Sequence, residues 1–458
     1  MMKHFDQQRL RHRKSVRTLW PKSGLAAAAL AACSMGHAID FGPNGMFSLT
    51  GFAEATLGRV SNSCIGCQVV SNTEGKQKSW ADAIISGHDY STMSTTFWQV
   101  QPYLGVKHKF ANGWELSGLL SQRWIDYTTG GQYTQVRYGG KVDVPNYWYQ
   151  KNIAVSHEDY GSLRAGAMTT RAWSVADYPY GTNLALSSAW SATGAGYGML
   201  TNAYRYTSRP LDVAQGDLVI EATYDFGDTK FQIHKPSFLE LYTQYHRGDL
   251  VIDAMYQDAK NGGGGAWGKA PFAGLVQNAS DDSAYLSGNH QSIAMLMARY
   301  QLNSQLEVSG GVRRNRWSGA NALQLASGQW SNMFNVDWNT SSATIGSPGY
   351  GASSFDYLLG TRYRREKFIY LAGLVYYSTA KTDNPSNRGQ HNSAVVTTAG
   401  VQYQQTNDLK YYLTLGRTHY TQRGLSPMSM PGNADGNGID ARVSRDGNWI
   451  NVGAILSF

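Results

Sequence analysis

The 458-residue sequence predicts an all-β fold, a transmembrane antiparallel up-and-down β-barrel of about 16 strands. Three observations predict it. Segments of roughly 10 residues alternate in polarity and are separated by turn residues. Short turns alternate with long connections, as expected for short periplasmic turns at one end and long extracellular loops at the other. The final segment places Ile450, Val452, Ala454, Leu456 and Phe458 on one face, with Asn451, Gly453 and Ser457 on the other and Ile455 as the exception.

Composition agrees with this reading. Only 16% of residues are charged, and Gly (50) and Tyr (29) are abundant. Mean hydropathy is −0.40, which resembles a water-soluble protein. A helix crossing a bilayer needs about 20 apolar residues in a run, and residues 39–458 contain none. A barrel needs no such run, because only alternate residues face lipid while the others face water.

Residues 1–38 read as a cleaved signal peptide. Lys3, Arg9, Arg11, Arg13, Lys14, Arg17 and Lys22 form a basic region, 24–33 an apolar stretch, and Gly36-His37-Ala38 a small-residue cleavage site. Leu30-Ala31-Ala32-Cys33 also resembles a lipoprotein cleavage box, although a spanning barrel needs no lipid anchor. The signal holds seven of the 40 basic residues and one of the 32 acids, leaving 33 against 31. The basic isoelectric point therefore belongs largely to the signal and implies no nucleic-acid partner. After export, Cys64 and Cys67 remain as candidates for a small loop disulfide, with a redox role or a metal site as the other readings.

Hairpins are expected from 97–110 with 114–126, 147–158 with 162–170, 238–246 with 250–257, and 293–302 with 306–315. Two more join 355–364 with 368–377 and 395–404 with 410–418. Strands at 47–60, 202–207, 218–226 and 449–458 complete an even set. Long connections are expected near 61–96, around Gly130, and at 171–201, 260–290, 318–352 and 421–446. Tyr224, Tyr245, Tyr300, Tyr363, Tyr403 and Tyr411 fall near strand ends, where interfacial girdles form.

Period-two parity sends one set of charges inward. It comprises Lys107, Lys109, Arg123, Arg164, Arg205, Arg299, Arg313 and Arg362, with Glu54, Glu115, Glu221, Glu240, Asp253, Glu307 and Asp356. In a water-filled lumen such charges select permeants, unless they pair across neighbouring strands. Three motifs read as ordinary loop chemistry. Arg247-Gly248-Asp249 fits a tight turn, 435–440 is an incomplete calcium loop lacking its distal Glu, and 262–265 is a glycine-rich tip. No nucleophile elbow, His-Glu-x-x-His or phosphate loop occurs, so neither an enzyme, a cofactor nor a metal site is expected.

The terminal 451–458 and the hairpin Glu158-Asp159-Tyr160-Gly161-Ser162-Leu163-Arg164-Ala165-Gly166 carry a family resemblance. The chain resembles the Gram-negative general porins, especially the beta-proteobacterial type with a barrel of about 16 strands. It departs from their pattern at Ala167, where the family usually has a charged or amide residue, and in lacking an acidic Pro-Glu-Phe stretch. The resemblance implies an outer-membrane passive diffusion channel for small hydrophilic solutes, surrounded by outer-membrane lipid and lipopolysaccharide and assembled as a homotrimer. It also implies that 171–201 folds inward as the pore-constricting loop, bringing Arg171, Trp173, Asp177, Tyr178, Tyr180 and Trp190 into the pore. That segment is poor in acids, so a mild preference for anionic or aromatic solutes is expected. The alternative is a barrel enzyme or adhesin whose activity lies in the long loops.

Overall fold

The computed structural model describes residues 39–62, 92–129, 132–138, 150–186, 190, 199–227, 232–261, 289–319, 352–379, 381–382, 391, 393–421 and 446–458. Cys64 and Cys67, the signal at 1–38, the 262–265 tip and the 435–440 motif lie outside them.

Sixteen strands close into an antiparallel barrel. The first eight are β1 (Phe47–Asn62), β2 (Thr92–Lys109), β3 (Glu115–Ser121 and Arg123–Thr129), β4 (Gln132–Tyr138 and Gln150–His157), β5 (Gly161–Thr169), β6 (Met199–Thr207), β7 (Gly216–Asp225) and β8 (Ser237–Arg247). The rest are β9 (Leu250–Lys260), β10 (Asn289–Gln301), β11 (Leu306–Gly319), β12 (Ala352–Arg365), β13 (Phe368–Tyr377), β14 (Ala394–Gln404), β15 (Leu409–Tyr420) and β16 (Asp446–Ser457). Each strand pairs with its sequence neighbour. Closure comes from β1 against β16, in register from Phe52 opposite Ser457 to Asn62 opposite Gly447. Among the described residues the strands are paired on both sides, which satisfies the backbone N–H and C=O groups of the wall against lipid. Beyond β16, Phe458 still exchanges two backbone hydrogen bonds with Gly51, at 2.7 and 2.9 Å.

Alternation sorts the side chains. In β13, Phe368, Tyr370, Leu374 and Tyr376 are exposed outward, whereas Ile369, Leu371, Val375 and Tyr377 are buried inward. The outer surface is apolar elsewhere too, with Leu57, Ile153, Leu163, Leu296, Leu359 and Val452 all exposed. Aromatic rings border this belt at both ends. Near the short turns Tyr363 stacks on Tyr370 and Phe368 lies beside Tyr403; near the other end Tyr357 stacks on Tyr376 and Tyr224 meets Phe226 edge-on. Tyr363 and Tyr357 are separated on one strand by roughly 20 Å at the usual rise per residue, a span suited to the hydrocarbon layer. Only lipid makes such a surface favourable.

One hairpin differs from the sequence reading. The β3–β4 ladder reaches Thr129 opposite Gln132, so the connection expected around Gly130 is short. Polar residues at 126–138 alternate poorly, which hid the extension. The short turns follow expectation. Arg247 pairs with Leu250 across Gly248, at φ +56°, as a tight turn requires. Gly161 has φ +84°, and a Cβ there would stand 2.3 Å from the Thr207 carbonyl, so the turn needs glycine on two grounds.

Inner-wall packing is equally tight near the closure. Trp449 on β16 lies flat over Gly416 on β15, where a Cβ would stand 1.8 Å from the indole. Gly416→Ala is expected to destabilise the barrel by about 1–3 kcal/mol through overpacking. The temperature at which the folded band is lost on semi-native gels should fall, and G416A/W449L should recover most of it.

Candidate functional site

After β5 the chain turns inward. The Thr170 hydroxyl accepts a hydrogen bond from Trp173 N at 3.2 Å and caps a short helix, α1 (Arg171–Val175). The carboxylate of Glu240 on β8 receives the otherwise unpaired amides of Arg171 (2.9 Å) and Ala172 (3.3 Å). Pro179 then interrupts regular helix, a tight turn follows at Thr182–Leu184, and Ala185 in the left-handed region (φ +56°) ends it.

This segment runs along the inner face of eight successive strands. Arg171 donates to Glu221 on β7 at 2.5 and 2.6 Å, and Glu240 on β8 holds the backbone. The Tyr180 hydroxyl donates to Asp253 on β9 at 2.6 Å, and the Trp190 indole N–H to the sulfur of Met297 on β10 at 3.1 Å. Arg313 on β11 donates to the Trp190 carbonyl at 2.5 Å and to Asp356 on β12 at 2.7 and 2.8 Å. Leu184 and Leu186 lie on Gly360 of β12 and Gly373 of β13, and Thr398 on β14 donates to the Leu184 carbonyl at 2.6 Å.

Much of the surface beneath is apolar. Met255, Ile293, Met295, Met297, Leu358, Val375, Tyr377 and Val396 point inward and form one buried cluster with Val175, Tyr180, Leu184, Leu186 and Trp190. At about 25 cal/mol per Å² of apolar area, several such side chains anchor the segment more firmly than surface hydrogen bonds could. Burial raises the Tyr180 hydroxyl well above the usual tyrosine range, and the Asp253 carboxylate adds to the effect, so Tyr180 remains a donor at physiological pH. Burial opposes the charge of Arg171, but Glu221 outweighs it and the guanidinium stays protonated.

The sequence-based picture of this segment is therefore corrected in part. Tyr180 and Trp190 present no edge to open lumen, being completely buried, and Arg171 is covered as well. Trp173, Asp177 and Tyr178 keep partial exposure. Likewise Glu221, Glu240, Arg205, Arg313 and Asp356 point inward as parity predicts but lie under the segment or in its ion pairs. The physical cause is the apolar inner wall. It must be covered, and the segment covers it.

The opposite wall carries a different chemistry. Tyr412 on β15 donates to Glu54 at 2.8 Å, and Gln99 donates to the other Glu54 oxygen at 2.5 Å. The Gln99 carbonyl accepts from Arg123 at 2.8 and 3.0 Å, and Arg123 stands 5.6 Å from the centre of the Trp173 ring. On β5, Arg164 donates to the amide oxygen of Asn152, whose own NH2 group donates to the Ala167 carbonyl at 2.9 Å. Lys107 pairs with Glu115 at 3.0 Å near the short-turn end, where Lys109 is exposed. On the wall beneath the segment, Arg299 and Arg362 both face Glu307.

Sequence reasoning missed Gly360, Gly373, Met297 and Thr398 as parts of the seat. Two signals bear on them. The runs 293–298 and 371–376 are apolar on both faces, and glycine in a strand interior marks a close approach of another group.

Neither the known protein families nor the curated protein sequences give a match to this chain. Solved structures do. It is similar to the anion-selective porin from Comamonas acidovorans, at 12% identity over 90% of this chain and 99% of that one, with a TM-score of 0.51. The outer membrane channel DcaP of Acinetobacter baumannii matches at 9% identity over 91% and 99%, and Salmonella typhi OmpF, in complex with daunomycin, at 12% over 92% and 100%. Both have a TM-score of 0.51. The shared property is the fold. A closed barrel with an apolar outer belt, built like these proteins, is an outer-membrane barrel.

Proposed function

We propose that this outer-membrane barrel is a passive diffusion channel for small hydrophilic solutes, with a mild preference for anions. Residues 171–201 narrow its lumen, and 1–38 are the export signal removed from the mature chain. The observation that supports the anion preference is the hydrogen bonding of Arg123 and Arg164 to neutral amides. Their guanidiniums are oriented by neutral amide oxygens, those of Gln99 and Asn152. The carboxylates of Glu221, Glu240, Asp253 and Asp356 are meanwhile committed to the inward segment and its arginines. An amide orients a guanidinium without cancelling its charge, so these contacts leave Arg123, beside Trp173, and Arg164 cationic. The similarity to an anion-selective porin supports the same direction at the level of fold.

Planar-bilayer recordings test this directly. Discrete ohmic steps are expected, with a reversal potential in a potassium chloride gradient on the anion side. R123Q/R164Q should move that potential toward zero or past it. A wild-type channel preferring cations would overturn the anion assignment. A sealed barrel would overturn the channel itself.

A further inference from the structure

Inward-facing arginines among the described residues fall into three groups, the first being Arg123 and Arg164 with their amide oxygens. Arg171, Arg205 and Arg313 are saturated, each making hydrogen bonds of 2.5–2.9 Å to carboxylate, hydroxyl or carbonyl oxygen. Arg299 on β10 and Arg362 on β12 are not. They flank the single carboxylate of Glu307 on β11, with Nη1 of Arg299 3.6 Å from Oε2 and Nη1 of Arg362 3.7 Å from Oε1. Both separations exceed hydrogen-bond length. The Nε atom of each is buried and has no hydrogen-bond partner among the described residues.

We propose that Arg299 and Arg362 form a binding site for one small oxyanion, a carboxylate or a phosphate, on the short-turn side of the inward segment. Two guanidiniums against one carboxylate leave a surplus positive charge, and unmet N–H donors in a partly covered position are costly. An oxyanion supplies two acceptor oxygens in the planar arrangement that guanidinium groups match. Arg362 pairs in register with Glu307, and Arg299 with Ser309, so the two guanidiniums stand on the strands either side of Glu307. Tyr180 supports Arg299 from the segment side, its ring centre 5.8 Å from the guanidinium carbon. Side-chain exposure of 25% for Arg299 and 18% for Arg362 leaves the pair accessible from the lumen. Glu307 opposes an anion but is outnumbered.

The site rests on the channel reading for how the anion arrives, though not for whether it binds. Calorimetry on the folded full-length barrel in detergent, with inorganic phosphate, acetate and neutral glucose as separate titrants, tests it. Saturable binding of phosphate, acetate or both is expected, and none of glucose. R299Q/R362Q should weaken it about tenfold or more, and R299K/R362K, which keeps the charge but loses the fork, should fall between. Folded-band mobility on gels checks each variant. In bilayers the same anion should reduce wild-type current more than that of R299Q/R362Q. Absence of saturable binding to the wild type, or equal affinity in R299Q/R362Q, overturns the site even in a conducting channel. Binding without conductance upholds the site and overturns the channel reading instead.

Discussion

Arg313→Met is expected to lower the stability of the folded barrel by about 3–5 kcal/mol, the cost of breaking a buried ion pair from one side. Arg313 is 1% exposed and its partner Asp356 is nearly as covered. The substitution strands the Asp356 carboxylate with only the Asn315 amide, at 2.7 Å, and removes the donor to the Trp190 carbonyl. It also removes the guanidinium lying 5.1 Å from the Trp190 ring centre. Urea unfolding of the detergent-solubilised barrel measures the loss. R313M/D356L should recover most of it, because two apolar side chains of similar size leave no uncompensated charge. A double variant as unstable as the single one would mean that the Trp190 contact, rather than the charge, carries the effect.

The second large effect concerns the glycine seat. Gly360 and Gly373 face each other in register on β12 and β13, and Leu184 and Leu186 occupy the space above them. A Cβ on Gly360 would stand 2.3 Å from a Leu184 methyl, and one on Gly373 2.6 Å from a Leu186 methyl. G360V/G373V should therefore expel the end of the segment from the wall, at a cost of roughly 1–3 kcal/mol for each overpacked position. If the segment narrows the lumen, single-channel conductance rises and solutes excluded before now pass in liposome-swelling assays. Adding Leu184→Ala to G360V removes the clashing methyls and should restore conductance toward the original value. Unchanged conductance in a folded G360V/G373V barrel would show that the segment does not set the bore.

The two substitutions probe one design from opposite sides. Polar anchors at Glu221, Glu240, Asp253 and Arg313 set where the segment lies, and the apolar seat from Met255 to Val396 holds it there. A purely polar seat would exchange readily with water. An apolar one resists it, because lifting the segment exposes buried methionine, leucine and tryptophan side chains.

The sequence by itself determined the barrel. Alternation with period two, short turns against long connections, and outward rows such as Ile450, Val452, Ala454 and Leu456 are local properties, and lipid on one side with water on the other leaves few architectures that satisfy them. Inward direction of Arg299, Arg313, Arg362 and Asp356 followed from parity alone. What only the tertiary structure decided is which inward residues meet water. That depends on a segment far away in sequence, with Leu184 touching Thr398 and Trp190 meeting Arg313. Parity assigns a face, but burial on that face is set by whatever packs against it, and no spacing along a strand encodes so remote a partner.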